Sequence, residues 1–213
     1  MRHRMEGIIA AAGFASGDRV VVGHWARSPV GPLTDVMWAA PDGTRTLFAP
    51  SERAAAFITA VYDFDAVAVV AVAGSGDAGG VRVALGDEGP DRRTVAITAG
   101  PGWHIPPRRR PAALTRWVEA PIARALLGVR TYGTSPRGVR EWYQATTWRP
   151  AVAASASIGD RDLGAMAPVD PPCRFGFSEP PARPSITAVR PLLEDPTGRL
   201  DRVLAAGAAT AIR

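Results

Sequence analysis

Four side chains in this 213-residue chain have the chemistry for proton transfer on an organic molecule: His24, Asp35, Glu141 and Tyr143. Glu141 or Asp35 could serve as general base, with His24 or Tyr143 as the acid, the pairing that a lyase, hydratase or isomerase needs. The ordinary alternative for each carboxylate is surface exposure or a structural ion pair. A second set, Trp25, Met37, Trp38, Arg130, Tyr132 and Trp142, has the composition of a ligand-binding wall: aromatic and thioether surface with one cation. Such a wall would take a hydrophobic small molecule with one polar group, for example an organic acid. The alternative for each tryptophan is packing within the core. A third set, Arg108, Arg109 and Arg110, lies in the proline-rich loop GPGWHIPPRRRP (100–111) and could bind an anion such as a phosphate or a nucleic acid. No aromatic interleaving supports nucleic-acid stacking there, and a solvated charge run is the simpler reading.

Other chemistry is absent from the pattern. The histidines, His3, His24 and His104, share no metal-ligand spacing, so no metal site is expected. There is no GxSxG elbow, no phosphate-binding GxxxxGK[ST] loop and no GxGxxG after a strand, so no cofactor is expected either. Gly74–Gly80 is glycine-rich but lacks a lysine and a following helix, and reads as a turn.

The elements that must position these residues begin with Val20–Pro50. Arg19–Ala26 is rich in β-branched and aromatic residues and ends at Ser28-Pro29-Val30-Gly31-Pro32, where a ladder cannot continue. Leu33–Ala40 resumes a strand, and Asp42-Gly43 joins it to Arg45–Ala49 as a hairpin. Alternation places Val21, Gly23, Trp25 and Arg27 on one face of the first strand, and Val20, Val22, His24 and Ala26 on the other. On the next strand Asp35, Met37 and Ala39 oppose Thr34, Val36 and Trp38.

The words around the corner, WARSPVGPLTDVMWA, resemble a stretch of the acetoacetate decarboxylase-like superfamily, through Ser28, Pro29, Val30, Gly31, Pro32 and Asp35. The likeness covers about fifteen residues and concerns a fold element. It implies a closed or cone-shaped antiparallel β-barrel around an apolar cavity. The family's decarboxylases form a Schiff base through a lysine. This chain contains no lysine, and arginine stays protonated under ordinary conditions, so that chemistry is excluded.

Further along, Ser51 caps an expected helix with apolar positions at Ala54, Phe57, Ile58 and Val61. Strands are expected over Ala66–Ala73, Val81–Leu85 and Thr94–Thr98, then a helical pattern over Ala112–Leu127 interrupted by Pro121. A second meander follows: Val129–Tyr132, the corner Ser135-Pro136-Arg137-Gly138, and Val139–Trp148, where Glu141 and Tyr143 share one face. Strands over Ala151–Ile158, Arg174–Ser178 and Ser185–Leu192 precede a C-terminal helix over Arg199–Ile212, opened by Asp195 and Pro196. Met5–Ala15 fits a short helix or an edge strand.

These patterns predict an α+β fold, mainly an antiparallel sheet curled into a barrel or cone with two or three peripheral helices. Residues 1–18 read as an N-terminal extension, and 19–213 as one β-barrel-type domain, divisible into meander halves 19–99 and 129–193. Hydrophobic residues make up 46% of the chain and the net charge is +5, with acidic residues interspersed. Nucleic acid is therefore not the expected partner; a small molecule is, and a homo-oligomer is compatible with the pattern. Cys173 stands alone, the apolar run near the N-terminus is short and interrupted by Glu6, and no run spans a bilayer, which together favour the cytoplasm.

Overall fold

In the computed structural model, residues 2–104, 111, 124 and 130–210 are described. The strands are β1 (Arg2–Arg4), β2 (Glu6–Phe14), β3 (Arg19–Arg27), β4 (Leu33–Ala39), β5 (Arg45–Ala49), β6 (Ala66–Val69), β7 (Val72–Asp77), β8 (Gly80–Leu85), β9 (Arg93–Ala99), β10 (Trp103–His104), β11 (Tyr132–Thr134), β12 (Arg140–Ile158), β13 (Arg161–Asp162), β14 (Met166–Ala167) and β15 (Ser185–Glu194). Helix α1 spans Glu52–Thr59 and α2 spans Arg199–Thr210. The main sheet runs β6-β5-β4-β3-β2-β15-β12-β9-β8-β7, antiparallel except for β5 with β6. It curls into a half-barrel with the two helices against it, an α+β architecture.

The curl comes from β12. Its first half pairs with β15 and its second half with β9, with register shifts at Ala145/Thr147 and at Ala151/Ala153. Each bulge bends the strand and adds twist. Pro150, at which the sequence pattern splits this segment in two, sits where the partner changes, so its missing N–H interrupts neither ladder. The bend folds β7–β9 back over β2–β4. Val20, Val22, Val36 and Trp38 then meet Val81, Val83, Val95 and Ile97 in a dry layer.

The other face of β2–β4 turns toward the helices. Ser51 caps α1, its Oγ accepting from the Ala54 N–H at 3.2 Å, and Ala54, Ala55, Phe57 and Ile58 form the buried face. Burial of Phe57 and Ile58 contributes roughly 1.5–3 kcal/mol each. Asp195 organises the start of α2: Oδ2 accepts from the Leu200 N–H and Oδ1 from the Thr197 N–H, both at 2.7 Å.

Several expectations change. Residues 1–18, expected as an extension, contribute β1 and β2, and β2 lies inside the sheet between β3 and β15. Gly74–Asp77, expected as a turn, belongs to β7, because its backbone groups pair with β8 and the turn tightens to two residues, where Asp77 Oδ1 accepts from the Gly79 N–H at 2.7 Å. The strand expected at Val129–Tyr132 begins at Tyr132, where pairing with Trp142 begins. Arg174–Ser178 is not a strand; it is a bent segment held by single bonds, from the Asp63 N–H to the Phe175 carbonyl at 2.9 Å and from Arg45 Nη1 to the Arg174 carbonyl at 2.7 Å. Apart from Arg124, which is helical, the helical pattern over Ala112–Leu127 lies outside the described residues, as does the anion site at Arg108, Arg109 and Arg110. No described helix is long and apolar enough to cross a membrane.

Candidate functional site

On β3 and β4 the register pairs Val21 with Met37, Gly23 with Asp35 and Trp25 with Leu33. Gly23 matters for its missing side chain. A Cβ there would lie 2.5 Å from Trp25 Nε1 and 2.6 Å from Asp35 Oδ1. That space lets the Trp25 indole fold back along the ribbon and donate its N–H to Asp35 Oδ1 at 2.9 Å. Asp35 is 1% exposed, and its second oxygen, Oδ2, is buried with no hydrogen-bond partner. Burial pushes its carboxyl up to about 7, against the smaller pull of the indole N–H.

A second carboxyl group stands on β12. Glu141 and Tyr143, two residues apart, share one face of the strand, and Tyr62 joins them from the end of α1. The Tyr62 hydroxyl donates to Glu141 Oε2 at 2.8 Å and the Tyr143 hydroxyl to the same oxygen at 3.0 Å. The two hydroxyls also touch each other. Glu141 is fully buried, its Oε1 has no partner, and burial raises its carboxyl to about 7 despite both hydroxyls. Burial and the Glu141 charge hold both phenols well above their ordinary value, and Asp35 adds to the effect on Tyr143. Gly176 makes room for the Tyr62 ring, since a Cβ on it would lie 2.6 Å from that ring.

Between these groups lies a cavity of about 470 Å³, within the range of small-molecule sites. Its apolar wall comes from Ile9, Ala11, Val21 and Met37 on the sheet, Phe57, Ile58 and Val61 on and after α1, and Val189, Pro191 and Leu193 on β15. Side chains of both meanders therefore meet in one hollow. Among the described residues the polar wall comprises Asp35, Tyr62, Tyr143, Arg130, Thr131, Ser185 and Thr187, with Ser178 from the bent segment and Glu179 just after it. Thr131 Oγ1, Trp148 Nε1 and Glu179 Oε2 are buried without partners.

Among the residues singled out from the sequence, Trp25, Met37, Asp35, Arg130 and Tyr143 line this cavity. Glu141 stands behind the two tyrosines. Asp35 and Glu141 are neither exposed nor ion-paired among the described residues, contrary to the ordinary expectation for carboxylates. His24 lies on the opposite face of β3, bonded through Nδ1 to Thr34 Oγ1 at 2.7 Å. Trp38 is in the dry layer, edge-on to Phe48, because alternation turns it away from Met37. Trp142 and Tyr132 stack on each other with ring centroids 5.3 Å apart, and neither is part of the cavity wall. Tyr62 was missed by sequence reasoning, although it follows Ile58 by four residues and so continues the buried face of α1. Thr131, Trp148 and Glu179 gave no comparable signal. Among the described residues no group of three or more His, Cys, Asp or Glu is placed to hold a metal ion.

No protein-family model matches the chain, and no curated protein shows a significant match. Solved structures do. The acetoacetate decarboxylase of Legionella pneumophila is similar over 91% of this chain and 84% of its own, at 9% identity and a TM-score of 0.39. Another acetoacetate decarboxylase is similar over 90% and 84%, at 11% identity and a TM-score of 0.41. An acetoacetate decarboxylase-like enzyme from Sphingomonas wittichii RW1 is similar over 91% of both chains, at 7% identity and a TM-score of 0.41.

Proposed function

We propose that this protein binds a small, mainly apolar molecule carrying one polar group in the cavity between the curled sheet and α1. The supporting observation is the cavity itself: about 470 Å³ of apolar wall onto which Asp35, Tyr62 and Tyr143 converge. Burying an apolar ligand there recovers dispersion contacts that the wall atoms lack while the space is hollow. The test is calorimetric titration with ethylbenzene, an uncharged apolar probe. Binding is expected, together with its loss in Val21→Trp at unchanged circular dichroism. No heat from ethylbenzene, or an unaltered affinity in Val21→Trp, would sink the reading.

A second reading, an enzyme of the lyase, hydratase or isomerase class, is supported by Asp35, a residue of the cavity wall whose buried Oδ2 has no hydrogen-bond partner among the described residues. In it the ionised Asp35 removes a proton from the carbon beside a carbonyl, and Tyr143 donates to the oxygen as the electron pair moves there. Returning a proton to carbon regenerates both groups. Incubation with acetophenone in deuterated buffer checks this: methyl-proton exchange above the buffer rate, lost in Asp35→Asn, is the expected outcome. Exchange no faster than in buffer would refute the catalytic reading and leave the binding reading standing.

A further inference from the structure

We propose that Tyr62, Tyr143 and Glu141 form a donor site for an uncharged carbonyl oxygen, and that it opens only when Glu141 carries a proton. The inference rests on the cavity being the ligand site and names the ligand's polar group.

The number of protons in the cluster decides whether one is free for a ligand. Three oxygens, Tyr62 Oη, Tyr143 Oη and Glu141 Oε2, lie in mutual contact. With Glu141 ionised, the cluster holds two protons, one on each phenol, and both point at the carboxylate. Hydrogen bonds to an ionised acceptor are roughly twice as strong as neutral ones, so a ligand competes poorly for either. With Glu141 protonated, the cluster holds three protons. A chain from carboxyl to one phenol and on to the second uses two of them. The third, on the last phenol, is free to turn toward an acceptor in the cavity that both tyrosines line.

The buried surroundings fit this switch. Glu141 is fully buried with Oε1 unpartnered, and no arginine or histidine pairs with it among the described residues. Its proton is retained up to about neutral pH for that reason. Among the described residues the other titratable groups facing the cavity are Asp35 from β4, Glu179 just after the bent segment and Arg130 before β11. Asp63, next to Tyr62, is engaged elsewhere, by Arg137 Nε at 2.6 Å. An uncharged ketone or aldehyde brings an acceptor oxygen and no charge into the apolar wall, and the released proton gives that oxygen a donor.

The experiment compares acetophenone with ethylbenzene, which has nearly the same shape without the oxygen, by calorimetry on the full chain. Acetophenone is expected to bind roughly fivefold to tenfold more tightly at about pH 5.5 than at about pH 8.5, the worth of one net hydrogen bond. Ethylbenzene should show no such difference. The infrared carbonyl stretch of bound acetophenone should fall in frequency at the lower pH only. Glu141→Gln, whose amide donates at every pH, should hold affinity and carbonyl shift at the acid values throughout. Should that variant fail to fold, the double variant Tyr62→Phe/Tyr143→Phe, which leaves no phenol to present the proton, is expected to lose the carbonyl shift.

Equal pH responses of the two probes, or a carbonyl shift that survives the double variant Tyr62→Phe/Tyr143→Phe, would overturn the donor site while leaving the cavity reading intact. Loss of the pH dependence in Asp35→Asn would assign it to Asp35 and overturn the switch. Failure of both probes to bind would remove the cavity reading and this inference together.

Discussion

Two tryptophan–aspartate pairs sit on opposite faces of the same ribbon. Trp38 Nε1 donates to Asp18 Oδ1 at 2.8 Å in the dry layer, and Trp25 Nε1 donates to Asp35 Oδ1 at 2.9 Å beside the cavity. Both aspartates are almost wholly buried. They differ in the second oxygen. Asp18 Oδ2 accepts from the Ser16 hydroxyl at 2.7 Å, whereas Asp35 Oδ2 is buried without a partner among the described residues, in a side chain that lines the cavity. A buried carboxylate with both oxygens engaged is a structural joint. The same group left half-engaged is costly to the fold, and a proton can relieve that cost.

The largest effect that tests the comparison is in packing. Trp38→Ala removes a side chain enclosed by Phe48 and the facing layer and should cost about 4 kcal/mol of unfolding free energy. Met37→Ala, one residue away and facing the hollow, should cost about 1 kcal/mol, since part of its surface has no packing neighbours to lose. Denaturant unfolding measures both. Equal costs would mean that the hollow face is packed as tightly as the dry one.

The next effect is in pH dependence. Asp35 and Glu141 ordinarily lose their protons near 3.8 and 4.5, but hold them to about 7 in the fold. Between those limits the folded state binds more protons than the unfolded one, so stability falls as pH rises. The contribution is fully present below about pH 4 and lost by about pH 8, on the order of 4 kcal/mol for Asp35 and on the order of 3 kcal/mol for Glu141. Asp35→Asn removes one of the two, and its loss of stability across that range should be roughly half that of the unaltered protein. An unchanged pH profile would show that Asp35 is ionised in the folded state well below neutrality.

Much of this arrangement was legible in the sequence, and the reason is periodicity. Alternation set Trp25 apart from His24 on one strand and Asp35 and Met37 apart from Trp38 on the next. The ladder, pairing Gly23 with Asp35, then decides that Trp25 shares the face of Asp35 and Met37, and that Trp38, counted with the ligand wall by residue type, does not. The proline corners and the Asp42-Gly43 turn marked the ends of strands for the same local reason. What could not be read is what depends on the bend in β12. Nothing local ties Tyr62 to Glu141, 79 residues apart, or joins Trp38 to Asp18 across a turn. His24 and Trp142 carried the right side chains for the site but stood on strand faces turned away from it. Residue type announced a candidate, and only the curl of the sheet decided which candidates share a cavity.

The smallest effect is the sharpest form of the contrast, because the same substitution is made at both aspartates. In Asp18→Asn the amide oxygen still accepts from Trp38 Nε1, and the amide nitrogen can donate to Ser16 Oγ where Asp18 Oδ2 accepted before. Both bonds survive with donor and acceptor exchanged in one of them, and the change should cost about 1 kcal/mol or less. Asp35→Asn has no such exchange to make and is told apart by the pH profile of stability, which it flattens. Urea unfolding measures the Asp18→Asn cost, and a loss well above about 1 kcal/mol would mean that the exchanged bonds do not form and that the joint needs the carboxylate itself.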